Sequence, residues 1–281
     1  MGTLYLVATP IGNLDDISAR ALLLLGQARL IAAEDTRQTR KLLAHYGLHT
    51  PMVSYHEHNK LSRLDVVLAA LSEGDVALVS DAGTPALNDP GYELVRATLD
   101  AGHPVSPVPG PSAPIAALVA SGLPTAAFLY LGYLPRKSPQ RRLLLAQVRL
   151  LPYTLIFLET PQRLAGALQD LQEVLGERPC AIARELTKLH EEIFRGSLSA
   201  ARQRFNDQAP RGEFTLVVGG CPPEAKPRWG DEQVRLALSS AQVQRQSASQ
   251  VAREIAAESG WSKKEIYRLY HEMLTGREES V

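Results

Sequence analysis

Short apolar runs alternate with stretches of helical period along the first part of the chain. Leu4 to Ala8 is a continuous apolar run and predicts a buried strand. Asp16 to Leu25 carries Ile17, Ala21, Leu24 and Leu25 at helical spacing, with Gly26 as its stop. The same alternation continues. Leu30 to Ala33, Val76 to Ser80 and Val105 to Val108 predict strands. Thr36 to Tyr46, Leu61 to Glu73, Tyr92 to Ala101 and Ser112 to Ser121 predict helices, the first three followed by Gly47, Gly74 and Gly102. Strands separated by helices imply a mostly parallel sheet.

Gly122-Leu123-Pro124-Thr125 reads as a boundary, which gives a first α/β domain over 1–122. Beyond it, Phe128 to Leu131, Thr154 to Leu158, Cys180 to Arg184, His190 to Arg195 and Phe214 to Gly219 predict strands. Arg163 to Leu175 predicts a helix closed by Gly176, and a further helix lies near Ser199 to Phe205. Several of these strands follow one another without a crossover helix. A second α/β domain over 123–222 with some antiparallel pairing follows. Cys221-Pro222-Pro223 and Lys226-Pro227 mark a linker. The remainder, 229–276, reads as helices at Asp231 to Ser239, Ser247 to Ser259 and Ser262 to Leu274. Ser262 and Glu265 form a capping box after the Gly260-Trp261 turn. Lys263, Lys264 and Arg268 on the last helix give this tail a helix-turn-helix look, and a small packing appendage is the plainer reading. The fold class expected is therefore α/β, with two α/β domains and a small C-terminal helical domain.

Composition adds limits. With 281 residues, 45% of them hydrophobic and 21% charged, the chain can bury more than one core and is not disordered by composition. Two cysteines, Cys180 and Cys221, exclude a disulfide framework or a cysteine zinc cluster and fit a reducing cytoplasm. No basic leader and no long apolar run are present, so a soluble cytoplasmic protein without a membrane partner is expected. The formal net charge is +0, but its distribution is uneven: Ala101 to Leu158 contains no Asp or Glu, while Arg136, Lys137, Arg141, Arg142 and Arg149 fall within it. Clustered cations of this kind suit phosphate contacts, and a solvated basic surface is the ordinary alternative.

The candidate chemistry sits where strands end. Ser80-Asp81-Ala82-Gly83-Thr84-Pro85, Ala8-Thr9-Pro10-Ile11-Gly12-Asn13 and Pro109-Gly110-Pro111-Ser112-Ala113 each follow a predicted strand. Ligands of open α/β sheets bind outside the carboxyl ends of strands, so the three loops predict one composite pocket. Neither a P-loop nor a G-x-G-x-x-G fingerprint is present, and a neutral or cationic ligand suits these loops better than a dinucleotide. Glu34-Asp35-Thr36-Arg37 opens a helix. Capping explains one of its residues but not two adjacent acids followed by Arg37, Arg40 and Lys41. The two histidines of Tyr55-His56-Glu57-His58-Asn59 are too close for the usual zinc spacings, so no metal site is expected. Arg184-Glu185-Leu186-Thr187-Lys188 and Glu159-Thr160-Pro161-Gln162-Arg163 end strands of the second domain and are candidate cleft walls.

Together with Gly132-Tyr133-Leu134-Pro135-Arg136-Lys137 and Ser121-Gly122-Leu123-Pro124, these motifs resemble the tetrapyrrole-methylase-like (class III) methyltransferases, and more narrowly the branch that acts on small-subunit ribosomal RNA. The matches run in order through both α/β domains. One departure is Glu159-Thr160-Pro161-Gln162-Arg163, where the family usually has Glu-Ser-Pro-His-Arg, so no histidine acts there. The resemblance implies S-adenosylmethionine held between the two α/β domains, methyl transfer to the ribose 2′-OH of a cytidine in the decoding region, and a homodimer acting on small-subunit rRNA or the 30S subunit. It implies cofactor contacts at Pro10, Asp81, Ala82, Gly83, Thr84, Ser112 and Ala113, with Leu158, Leu186 and Thr215 from the second domain. Glu34, Asp35, His56 and Glu185 are candidate proton acceptors, and Lys188 or Arg37 electrostatic partners; the sequence does not choose among them. Arg37, Arg136, Lys137, Arg141, Arg142, Lys263, Lys264 and Arg268 become RNA contacts. A tetrapyrrole C-methyltransferase and a non-catalytic RNA-binding protein of the same fold are the rival readings.

Overall fold

Residues 2–206, 212–222, 228–243 and 247–275 are described by the computed structural model of the chain. The chain divides into two compact units, residues 1–221 and 222–281.

Five strands form the first sheet: β1 (Leu4–Val7), β2 (Leu30–Ala33), β3 (Met52–Ser54), β4 (Val76–Val79) and β5 (Val105–Val108). Their order is β3-β2-β4-β1-β5, and every pairing is parallel. A parallel sheet needs a crossover between strands and is covered on both faces. The crossovers carry α1 (Ala19–Gln27), α2 (Thr36–His45), α3 (Leu64–Glu73) and α4 (Tyr92–Asp100). β4 shows the consequence of the two-residue strand period. Ala77 and Val79 pack with Ala21, Leu25, Leu42 and Leu43 of α1 and α2. Val76 and Leu78 pack with Val67, Leu71 and Leu94 of α3 and α4. All five strands run the same way, so their carboxyl ends share one edge.

The second sheet comprises β6 (Phe128–Tyr133), β7 (Thr154–Glu159), β8 (Pro179–Arg184), β9 (Glu192–Ser197) and β10 (Phe214–Val218). Its order is β6-β7-β10-β8-β9. β6 and β7 are parallel; β7–β10, β10–β8 and β8–β9 are antiparallel, as the closely spaced strand signals imply. One face packs on α6 (Ser138–Val148), α7 (Pro161–Leu175) and α8 (Leu198–Asn206) through Leu145, Leu164, Leu168, Leu171, Leu198 and Ala201.

Several elements depart from the sequence expectations. The first helix begins at Ala19 rather than Asp16, because Ser18 Oγ caps it by accepting from Ala21 N at 3.1 Å. Gly26 lies inside that helix; a β-carbon there would stand 3.2 Å from Leu48 Cδ2, so the residue serves close packing rather than a stop. The short edge strand β3 and the helix α6 carried no decisive pattern. The largest difference concerns α5 (Ala113–Ala120), which the Gly122 boundary assigns to the first α/β domain. Its Ala117 and Leu118 pack instead on Ile156, Ala181, Ala183 and Val217 of the second sheet. The segment that leaves the first sheet after β5 thus covers the other sheet, which joins the two sheets in one unit.

The second unit is helical: α9 (Asp231–Val243), α10 (Ala248–Ser259) and α11 (Lys263–Thr275). Val234, Leu238, Val251, Ala252, Ile255, Ile266, Leu269 and Tyr270 form its core. The capping box forms as expected. Ser262 N donates to Glu265 Oε2 at 2.7 Å and Glu265 N to Ser262 Oγ at 3.2 Å. Arg228 stacks over Trp261, 4.7 Å from the ring centre, and Trp261 Nε1 donates to Trp229 O at 2.8 Å.

Candidate active site

The loops after β1, β4 and β5 are joined mainly by backbone bonds. Thr9 N donates to Gly83 O and Gly83 N to Thr9 O, both at 2.9 Å. Thr84 Oγ1 donates to Pro111 O at 3.3 Å. Gly83 has φ +78°, a conformation that a β-carbon disfavours. A β-carbon on Gly110 would stand 3.0 Å from that of Ala8, which fixes how closely the β5 loop approaches β1. The ends of β2 and β4 are tied reciprocally: Asp35 N donates to Asp81 Oδ1 at 3.1 Å and Asp81 N to Glu34 Oε2 at 3.2 Å.

These loops face residues of the second sheet across a cleft of about 220 Å³. Of the expected cofactor residues, Asp81, Ala82, Gly83, Thr84, Ser112, Ala113, Leu158 and Thr215 line it, as does Glu34. Pro10 lines an adjoining cavity on the other side of Asp81. Leu186 packs against the core beneath α5.

The sequence reading missed Asp89, Tyr130, Tyr133, Glu213 and Phe214, which also line the cleft. Asp89 lies in Asn88-Asp89-Pro90-Gly91, a run whose composition signals a turn and nothing more. The tyrosines stand on β6, where the residues alone gave no sign of which sheet face meets the cleft. Nearby, the loop holds Ala86 and Asn88 at positive φ, +64° and +66°, and Gly132 of β6 packs closely on the Asn88 side chain. Positive φ at non-glycine residues persists where the surroundings over-determine it.

The charge of the cleft is one-sided. Glu34, Asp81, Asp89, Glu159 and Glu213 line it, with no Lys, Arg or His among the described lining residues. Glu159 has Arg163 Nε at 2.9 Å and Glu213 has Lys188 Nζ at 3.3 Å. The other three have no ion-pair partner among the described residues. Burial pushes the Asp89 carboxyl up to about 6, helped by the charges of Glu34 and Asp81 and offset in part by a Ser80 hydrogen bond. Burial likewise raises Glu34, against the hydrogen bond from Asp81 N, and raises Asp81, against that from Asp35 N. Three carboxylates pushed toward neutrality in one cleft form a site that a bound cation would restore to full charge.

The remaining candidate catalytic residues are not in this lining. Asp35 caps α2 and pairs with Arg37, whose hydrogen bonds hold its carboxyl down to about 2. Arg37 is exposed at the rim. The backbone N–H of His56 donates to Asn59 Oδ1 at 2.8 Å, and its Nδ1 is buried without a partner. Glu185 accepts from Lys188 Nζ at 2.9 Å, chiefly for which reason its carboxyl is lowered. Burial opposes the Lys188 charge, but Glu185 and Glu213 outweigh it and raise its pKa. This loop, with Glu185 and Thr187 at φ +50° and +66°, packs on Gly12, where a β-carbon would meet Thr187 Oγ1 at 2.9 Å.

Among the expected RNA contacts, Arg136, Lys137, Lys263, Lys264 and Arg268 are exposed. Arg142 is exposed but pairs with Glu173 and, at 3.6 Å, with Asp170. Arg141 is a correction. Only 6% exposed, it donates from Nε to Asp170 Oδ2 at 2.7 Å and from Nη1 and Nη2 to Pro135 O and Gly166 O at 3.3 and 3.2 Å. It is a core tether between α6 and α7, unavailable to phosphate. The acid-free run in sequence is met in space by acids of α7. No helix among the described residues is long and apolar enough to cross a membrane. No group of three or more His, Cys, Asp or Glu among them is arranged to hold a metal ion.

An all-parallel sheet facing a mixed sheet across an acid-lined cleft defines a class. The sequence profile of the tetrapyrrole (corrin/porphyrin) methylases matches residues 3–202, and the chain belongs to that family. Solved structures agree in fold. Uroporphyrin-III C-methyltransferase from Thermus thermophilus superposes with a TM-score of 0.54 at 23% identity, covering 78% of this chain and 94% of that one. The methyltransferase CobJ gives 0.59 at 19%, covering 82% and 98%.

Closer relatives narrow the class. Ribosomal RNA small subunit methyltransferase I of Synechocystis is 46% identical over 97% of this chain and 99% of its own length. The protein of the same name from Mesorhizobium japonicum is 49% identical over 94% and 90%, and that of Escherichia coli O157:H7 44% over 95% and 94%.

Proposed function

We propose that the chain is an S-adenosylmethionine-dependent methyltransferase that modifies small-subunit ribosomal RNA at the ribose 2′-OH of a cytidine in the decoding region. One observation carries the cofactor reading: the cleft presents Glu34, Asp81 and Asp89 without cations, opposite tyrosine and leucine side chains. A ligand bearing a sulfonium and an ammonium, with an aromatic base at its other end, fits that charge and that apolar wall. A related structure, uroporphyrin-III C-methyltransferase complexed with S-adenosylhomocysteine, has the same fold at a TM-score of 0.52. The RNA reading rests on the named relatives, 44–49% identical over most of the chain, which favour it over a tetrapyrrole substrate.

When bound, the cofactor supplies a methyl group already activated by its sulfonium, so the protein's share is orientation and proton removal. Backbone groups of the Gly83 and Ser112 loops would hold the ligand, and Asp81 would balance its positive charge. A carboxylate of the cleft would take up the proton that the ribose hydroxyl gives up on methylation. Of the acceptors named from sequence, only Glu34 lines the cleft; Asp89 beside it joins it. A carboxyl near 6 is ionised at neutral pH and basic enough to take that proton. Exposed Arg136, Lys137, Lys263, Lys264 and Arg268 neutralise RNA phosphates, and the chain acts as a homodimer. The test is methyl transfer from labelled cofactor to small subunits lacking the modification. Label recovered as 2′-O-methylcytidine is the expected result. Cofactor binding without transfer to rRNA overturns the substrate assignment. Light scattering in solution checks the dimer.

A further inference from the structure

Beside the acid-lined cleft lies a second cavity, of about 290 Å³, which shares Asp81 with it. Pro10 and Leu14 of the β1 loop and Leu42 of α2 give it an apolar floor, and Gln38 and Lys41 of α2 stand at its rim. We propose that this cavity is the subsite for the base of the acceptor nucleotide, and that Gln38 is the residue that selects cytosine over uracil.

Lys41 Nζ donates to Gln38 Oε1 at 3.1 Å. An ammonium only donates, so this contact fixes which end of the amide is oxygen. The Gln38 carbonyl is therefore engaged, and its NH2 group is the end left to bond a ligand. Two donors match the N3 and O2 acceptors on the edge of cytosine. Uracil presents N3–H there, a donor facing a donor. The apolar floor suits the face of a base freed from its stack, the form in which RNA bases are usually read. Asp81, common to both cavities, places the bound nucleotide beside the methyl donor. The acid-rich main cleft repels phosphate, whereas Lys41 at this rim attracts it. This assignment rests on the proposed rRNA substrate.

Gln38 is exposed on a helix surface, so its replacement spares the core. The experiment compares kcat/KM on small subunits carrying the target cytidine with subunits carrying uridine there, for the wild type, Gln38→Ala and Gln38→Glu. The expected result is that Gln38→Ala lowers the cytidine-to-uridine ratio about tenfold, the value of one hydrogen bond. Gln38→Glu, which turns donors into acceptors, shifts the ratio further toward uridine. Binding of S-adenosylmethionine, followed by calorimetry, stays unchanged in both. A ratio unaltered in Gln38→Ala, with overall activity lost or kept, overturns the assignment and leaves the rRNA reading intact. A wild type that methylates no cytidine overturns the rRNA reading, and this assignment with it.

Discussion

Glu34, Asp81 and Asp89, at the carboxyl edge of the first sheet, have no cation at ion-pair distance among the described residues. Glu159, Asp170 and Glu185, around the second sheet, have Arg163, Arg141 and Lys188. Burial raises the first three and also Glu159, so depth alone does not separate the groups. Pairing does. A buried acid with its own guanidinium is part of the architecture, while one left to its neighbours' repulsion keeps its charge only when something else supplies the cation. The first sheet thus presents a binding surface, and the acids of the second hold helices and loops in place.

Breaking a pair on the second sheet gives the largest effect expected. Arg141→Ala leaves Asp170 buried and charged, and such a loss costs about 3–5 kcal/mol. Denaturant unfolding reads it, and Arg141→Leu with Asp170→Leu recovers most of the loss. Stability unchanged in Arg141→Ala would remove the distinction drawn here. On the first sheet the same kind of change acts on the ligand instead. Asp81→Asn weakens S-adenosylmethionine binding by about 1.5–3 kcal/mol, the range for a hydrogen bond to a charged group. Calorimetry measures that loss, while the melting point of the ligand-free protein does not fall.

Backbone shape is tested next. Gly83→Ala has room for its methyl, with Ile11 Cγ2 at 3.4 Å, so only the φ of +78° is penalised. The cost is about 1–2 kcal/mol of stability, with a matching loss of cofactor affinity. A slope with pH is a further test. Asp89 rises from 3.8 to about 6 on folding, so the native state holds the proton more tightly than the unfolded chain. Its contribution to ligand-free stability is complete below pH 3.8 and is lost as pH rises to about 6. Asp89→Asn flattens that slope in unfolding series. Asp35, lowered to about 2, runs the other way, losing its contribution as pH falls from 3.8 toward 2.

Much of this molecule was legible from the residues. The period-2 and period-3.6 patterns are local, and the first sheet's strands and helices follow them with ends shifted by a few residues. The loops after β1, β4 and β5 were legible as one pocket because parallel strands must bring their carboxyl ends to one edge. Ser262 and Glu265 were legible as a capping box because the interaction spans one helical turn.

Contacts between distant segments were decided by tertiary structure alone. Arg141 reads as part of a basic run, and only the packing of α6 on α7 brings Asp170 against it. α5 follows β5 in the chain, and only the packing of its Ala117 and Leu118 on Ile156, Ala181, Ala183 and Val217 places it on the second sheet. Tyr130 and Glu213 become neighbours of Asp81 because two sheets meet across a cleft, and Asp89 because the loop after β4 folds back on itself. Periodicity and capping depend on residues within a turn or two of each other. Ion pairing and pocket lining depend on which surfaces are folded together, and no local pattern encodes that.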